Sequence, residues 1–176
     1  MPHSVHDKST APAEALPLLE KAESAYGFVP NLLGVMAESP ALLEAYMTMN
    51  QIFEKTDFSP SERQVVLLAV SEDNECGYCT AAHTAIASMQ GVPEDVARAT
   101  AEGRAIDDSK LEALRRFTGK VVASRGNPSA DDVSAFLNAG YERRHVLDVL
   151  TGVGMKTLSN YTNHIAETPL DKQFGG

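Results

Sequence analysis

The chain of 176 residues is poor in cysteine, in basic residues and in long apolar runs. Two cysteines cannot build the disulfide scaffold that stabilises small secreted domains. Fifteen Lys and Arg stand against twenty-four Asp and Glu, a formal net charge of −9. A surface that acidic repels phosphate backbones, which argues against a nucleic-acid partner. The longest apolar run, Val65 to Val70, is far short of the roughly 20 residues a spanning helix needs, so no membrane is expected. The opening residues lack a basic start followed by an apolar stretch, and no signal peptide is read there. Internal repeats, low-complexity tracts and alternating strand patterns are missing as well. With 43% apolar and 22% charged residues, the composition suits a folded globule. One soluble, cytoplasmic domain is the expectation.

What is present is a helical period almost throughout. Residues 1–12 read as a mobile polar tail, residues 13–171 as one helical domain, and residues 172–176 as a C-terminal tail. Leu16, Leu19 and Ala22 suit a first amphipathic helix ending near Gly27, and Val29-Pro30 is extended before a short helix. Pro40 starts a longer helix. Ser59-Pro60-Ser61-Glu62 combines an N-cap serine, a first-position proline and a capping-box glutamate. Those signals make Val65–Val70 part of a helix of about 15 residues rather than a strand; being apolar nearly all round, it should be central. Further helices are read over Thr80 to Gln90, Glu94 to Glu102, around Leu111–Val121, after Ser129, and from about Arg143 to Ala166. Gly152 and Gly154 within the last helix suit close helix packing, and His145 and His164 suit capping or surface roles. The fold class is all-α.

The two cysteines stand three apart in Cys76-Gly77-Tyr78-Cys79, with His83 four residues further on. If Cys76 lies in the first turn of a helix, both sulfurs and the imidazole share one face and the sulfurs can approach to bonding distance. Unpaired N–H groups at a helix start favour a thiolate, and a neighbouring imidazole can take its proton. One cysteine would then attack an oxidant and the other would resolve the sulfenic acid into a disulfide. Two inert buried cysteines are the plain alternative. A zinc site lacks a fourth ligand, covalent haem lacks a histidine directly after the second cysteine, and a thioredoxin-like module lacks strands.

Ser59-Pro60-Ser61-Glu62-Arg63, the apolar helix, and then Glu75-Cys76-Gly77-Tyr78-Cys79-Thr80-Ala81-Ala82-His83 resemble the AhpD-like alkylhydroperoxidases of the carboxymuconolactone decarboxylase superfamily, notably its peroxidase-related members. Val29-Pro30-Asn31-Leu32 and the stretch from Asn160 to Leu170 share the likeness, which spans about residues 26–171. The resemblance implies an AhpD-like helical fold, homo-oligomers (trimer, dimer or hexamer), and thiol-dependent reduction of hydrogen peroxide or small organic hydroperoxides. It implies Cys79 as peroxidatic cysteine, Cys76 as resolving cysteine and His83 as activating base, with a lipoyl protein or thioredoxin-like dithiol as reductant and no metal or organic cofactor. Where the best-known members carry a relay glutamate and a histidine, this chain has Gln64 and Tyr78. Glutamine carries no proton, but Gln64 can orient His83 or a water by hydrogen bonding. A lactone decarboxylase and a non-catalytic redox-sensing oligomer are the alternatives; the first has no evident need for a cysteine pair.

Overall fold

Ser59 turns the chain into the helix around which the others are arranged. Its hydroxyl accepts the Glu62 backbone N–H at 3.2 Å while Glu62 Oε2 accepts the Ser59 N–H at 2.8 Å, a reciprocal cap that fixes the start of α4 (Pro60–Asp73). Every residue from Val65 to Val70 is buried, as a helix apolar on all sides requires, and α4 packs against α5 (Gly77–Met89), α6 (Glu94–Ala101), α7 (Ser109–Ala123) and α9 (Arg143–Ala166). In the computed structural model, which describes residues 3–175, the remaining helices are α1 (Leu16–Tyr26), α2 (Asn31–Met36), α3 (Pro40–Phe53) and α8 (Ala130–Asn138). Short 3-10 turns occupy Ala13–Ala15 and Lys172–Phe174, and no strand occurs among the described residues. The expected all-α class holds.

The main core gathers Phe53, Val66, Leu68, Leu114, Phe117, Val149 and Met155 around α4. A second cluster, with Leu19, Leu32, Leu33, Met36 and Leu43, joins α1, α2 and α3. The long α9 crosses both α3 and α4, and Gly152 permits that crossing. A Cβ there would lie 2.7 Å from Val66 Cγ1 and 3.1 Å from the Phe53 ring. His145 accepts the Glu142 N–H at 2.9 Å and so caps α9.

Both terminal segments differ from their reading as tails. The His6 N–H donates to the Gly34 carbonyl at 3.2 Å, and the His6 ring meets Glu38 at 2.7 Å. Gly34 permits this approach, since a Cβ there would lie 2.6 Å from the His6 carbonyl oxygen. At the other end Asp171 is buried, and Phe174 sets its ring edge-on against Phe28 and Tyr78, at centroid separations of 5.7 and 6.4 Å. Backbone hydrogen bonding and aromatic packing, invisible to local polarity, hold these segments to the domain. Of the residues read as tails, Met1, Pro2 and Gly176 lie outside the described residues.

Candidate active site

The cysteine pair sits where α4 hands over to α5. Asn74 closes α4, Glu75 takes a left-handed conformation (φ 55°), and Cys76 is extended at the N-cap of α5, its N–H donating to the Ser71 carbonyl at 2.8 Å. The helix therefore begins at Gly77, earlier than Thr80, and Cys76 precedes its first turn instead of lying in it. Cys76 takes the N-cap position through its backbone, and its sulfur makes no capping hydrogen bond. Cys79 falls at the third helical position. Both thiols are free and buried, at 2% exposure each.

Over the sulfurs lies a polar stripe of α9 that sequence reasoning does not single out. Lys156, Ser159, Asn160 and Asn163 follow one another at i, i+3, i+4 and i+7, so they share one face, and none is more than 6% exposed. Asn163 Nδ2 lies 3.2 Å from Cys79 Sγ and 3.8 Å from Cys76 Sγ, and Ser159 Oγ lies 3.8 Å from Cys79 Sγ. Asn74 Nδ2 donates to Asn160 Oδ1 at 2.9 Å, tying the α4–α5 turn to the same stripe. A signal for the stripe does exist in the sequence: four polar residues at helical spacing within the longest helix, on a face opposite apolar residues.

These groups divide the protons unequally. Cys79 is held well below the ordinary thiol range, first by the hydrogen bond from the Cys76 thiol, with Lys156, Asn160 and Ser159 acting the same way against the opposing cost of burial. Cys76 is pushed up by that same hydrogen bond, by burial and by the charge on Cys79. At neutral pH the pair is a Cys79 thiolate beside a Cys76 thiol.

His83 is buried one helical turn beyond Cys79, and its Nδ1 pairs with Gln64 Oε1 at 3.1 Å. Because a glutamine oxygen only accepts, Nδ1 carries the hydrogen and Nε2 keeps the lone pair. Gln64 in turn donates through Nε2 to Gln90 Oε1 at 3.1 Å. Burial, assisted by the Lys156 charge, lowers His83 well below its ordinary value, so the ring is neutral at pH 7. Among the described residues no hydrogen bond joins His83 to either sulfur. The groups that ionise Cys79 come from Cys76 and α9, whereas the family resemblance assigns that task to His83. Gln64 is the hydrogen-bond partner of the ring.

Cys79, His83, Gln64 and Lys156 share the wall of a cavity of about 120 Å³ whose lining is otherwise largely apolar, with Leu32, Leu67 and Phe174 among its walls. Tyr78 does not reach the sulfurs as a relay residue. Its hydroxyl donates to Asp171 Oδ2 at 2.5 Å and accepts the Leu32 N–H at 3.2 Å, which fastens the C-terminal segment over the cavity. Among the described residues no group of three or more His, Cys, Asp or Glu side chains could hold a metal, and no helix is long and apolar enough to cross a membrane.

Fold and site define an AhpD-like helical protein with a buried cysteine pair at the start of a helix. Residues 40–119 match the Carboxymuconolactone decarboxylase family. The alkylhydroperoxidase AhpD core of a peroxidase-related protein from Ralstonia eutropha JMP134 has the same fold, with TM-score 0.85 at 21% identity over 98% of this chain and 93% of that one. A peroxidase-related protein from Silicibacter sp. TM1040 gives TM-score 0.82 at 20% identity over 98% and 92%. The debrominase Bmp8, as a cysteine-to-alanine variant in complex with 2,3,4-tribromopyrrole, gives TM-score 0.81 at 17% identity over 99% and 95%. No curated protein matches the chain.

Proposed function

We propose that this protein is a cytoplasmic thiol peroxidase that reduces hydrogen peroxide or small organic hydroperoxides through a Cys76–Cys79 dithiol–disulfide cycle. The observation that carries this reading is the placement of the pair: Cys79 lies in the wall of a small, mostly apolar cavity, 3.2 Å from Asn163 Nδ2 and 3.8 Å from Ser159 Oγ, with Cys76 beside it. The thiolate is the species that attacks a peroxide oxygen, and a resolving thiol in hydrogen-bond contact converts the sulfenic acid to a disulfide before it oxidises further. His83, fixed by Gln64 with Nε2 as its lone-pair nitrogen, orients a hydroperoxide by accepting its O–H. An external dithiol, a lipoyl protein or a thioredoxin-like donor, restores the pair, and no metal or organic cofactor is needed. The protein works as a homo-oligomer in this reading. Exposed Leu147, Leu150, Tyr161 and Ile165 on α9 supply apolar surface for assembly.

The test is hydroperoxide consumption by the reduced protein with excess small dithiol. Cys79→Ser abolishes turnover, while pre-reduced Cys76→Ser freed of dithiol reacts once and accumulates a sulfenic acid that a dimedone-type reagent traps. Full activity of the Cys79→Ser protein overturns the reading. So does debromination of 2,3,4-tribromopyrrole, the ligand of the Bmp8 structure, by a protein inert toward hydroperoxides.

A further inference from the structure

Lys156 occupies a place where a methionine or leucine would fill the same space without a charge. Its side chain is 1% exposed in the middle of α9, it shares the cavity wall with Cys79, and none of the ion pairs of the described residues includes it. A buried ammonium without a counter-charge is costly by several kcal/mol. Its charge favours ionisation of Cys79, so the thiolate and Lys156 are each other's counter-ion in the reduced protein. Oxidation of Cys79 to a sulfenic acid removes the negative member of that pair and leaves the ammonium buried alone. At the same moment the departing oxygen of the peroxide becomes a strong base in the same cavity.

We propose that Lys156 is the acid of the peroxide-reducing step, giving an Nζ proton to the oxygen that leaves. This inference rests on the peroxidase reading. The Cys79 thiolate attacks the terminal oxygen of R–O–OH: the S–O bond forms, the O–O bond breaks, sulfur is oxidised by two electrons and R–O⁻ departs. Lys156 protonates it to R–OH and becomes a neutral amine. The Cys76 thiol then displaces hydroxide from the sulfenic acid, its proton leaving in the water formed, and the S–S bond closes. An external dithiol reduces the disulfide, one of its protons remaining on Cys76 and the other returning to Lys156 beside the regenerated thiolate. Charge and protons balance over the cycle.

No other group facing the cavity serves as well. His83 from α5 is neutral, and its single N–H is engaged by Gln64. Tyr46 from α3 is pushed up by burial and by the cysteine charges, so its phenol is a weak acid. Cys76 is needed as a thiol for the second step. Arg63 of α4 is too weak an acid to give up a proton, and its guanidinium donates to the Phe58 carbonyl.

The leaving group supplies the test. Lys156→Met and Lys156→Gln are made in the full chain, their folding is checked by circular dichroism, and the thiolate fraction of each is measured by ultraviolet absorbance against pH. Single-turnover oxidation is then followed with two oxidants, at rates corrected for that fraction. Cumene hydroperoxide expels an alkoxide that needs a proton; peracetic acid expels acetate, which does not. With Lys156 as the acid, both variants lose about 10²-fold or more with cumene hydroperoxide and less than about threefold with peracetic acid. Equal losses with the two oxidants, or none with either, overturn the assignment while leaving the peroxidase reading intact. A wild-type protein inert toward both overturns the reading itself and the inference with it.

Discussion

Replacing Asn163 by leucine asks whether α9 or His83 sets the charge state of Cys79. Asn163 Nδ2 stands 3.2 Å from Cys79 Sγ, and a hydrogen bond to a charged acceptor contributes about 1.5–3 kcal/mol. At about 1.36 kcal/mol per pKa unit, its loss raises the thiolate titration by about 1–2 units. Folding stability moves less, because Asn163 Oδ1 is buried without a partner among the described residues and leucine removes that unsatisfied acceptor along with the donor. The assay is thiolate ultraviolet absorbance against pH on the reduced protein, read at the lower of the two steps, since two interacting thiols titrate as a unit. The acid limb of peroxide consumption shifts upward by the same amount. His83→Gln is the companion variant: the ring is neutral and makes no hydrogen bond to sulfur, so the step moves by less than about half a unit. If Asn163→Leu leaves the lower step in place while His83→Gln raises it, the imidazole holds the thiolate and the role of α9 is refuted.

Three further outcomes are expected. Gly152→Ala forces a methyl to within 2.7 Å of Val66 Cγ1 and costs about 1–3 kcal/mol by denaturant unfolding; an unchanged midpoint would mean that α9 is free to shift off α4. His83 binds a proton readily in the unfolded chain, below its ordinary value of 6.5, but not in the folded one, so stability must fall with pH through that range. Between pH 6.5 and about 5 the wild type loses more stability than His83→Gln, by up to about 1.6 kcal/mol, and parallel stability curves would contradict the buried neutral ring. Tyr78→Phe removes the hydroxyl that joins Asp171 to the Leu32 N–H, costs about 1–2 kcal/mol, and speeds hydrogen exchange in residues 171–175; unaltered exchange there would show that the Phe174 packing alone holds the segment.

Most of the scaffold is legible in the sequence because its helices announce their ends chemically. Ser59 with Glu62, Ser129 with Asp132, and Gly27, Gly91 and Gly140 in left-handed conformations all stand where capping chemistry predicts. The start of α5 is expected too late because cysteine is not among the usual caps, and only the extended backbone at Cys76 reveals that this residue takes that position. The α9 stripe escapes for a different reason. Polar residues at helical spacing normally face water, but here they are buried while Leu147, Tyr161 and Ile165 are 64%, 55% and 71% exposed. Periodicity identifies the two faces of a helix without saying which one turns inward, and from Lys156 onward α9 buries its polar face. The docked terminal segments depend on contacts with residues far away in sequence, such as Gly34 and Tyr78, which no local pattern encodes.

The buried polar stripe of α9 also explains why a dithiol can sit in an all-helical core at all. Burial alone raises the pKa of both cysteines and would leave two inert thiols, the plain alternative to a reactive pair. A helix N-terminus favours the thiolate but does not choose between a cap residue and one three positions later. The choice is made by asymmetry across the interface: Asn163 and Ser159 converge on the second sulfur, Lys156 adds its charge, and the first sulfur, left with the proton, becomes a further donor to the second. Each of these contacts comes from a side chain that would destabilise α9 if nothing charged faced it. Lys156, buried without a carboxylate partner among the described residues, points to the same conclusion as the sulfurs do. The interior polarity of this protein is arranged around one negative charge, and that charge belongs on Cys79.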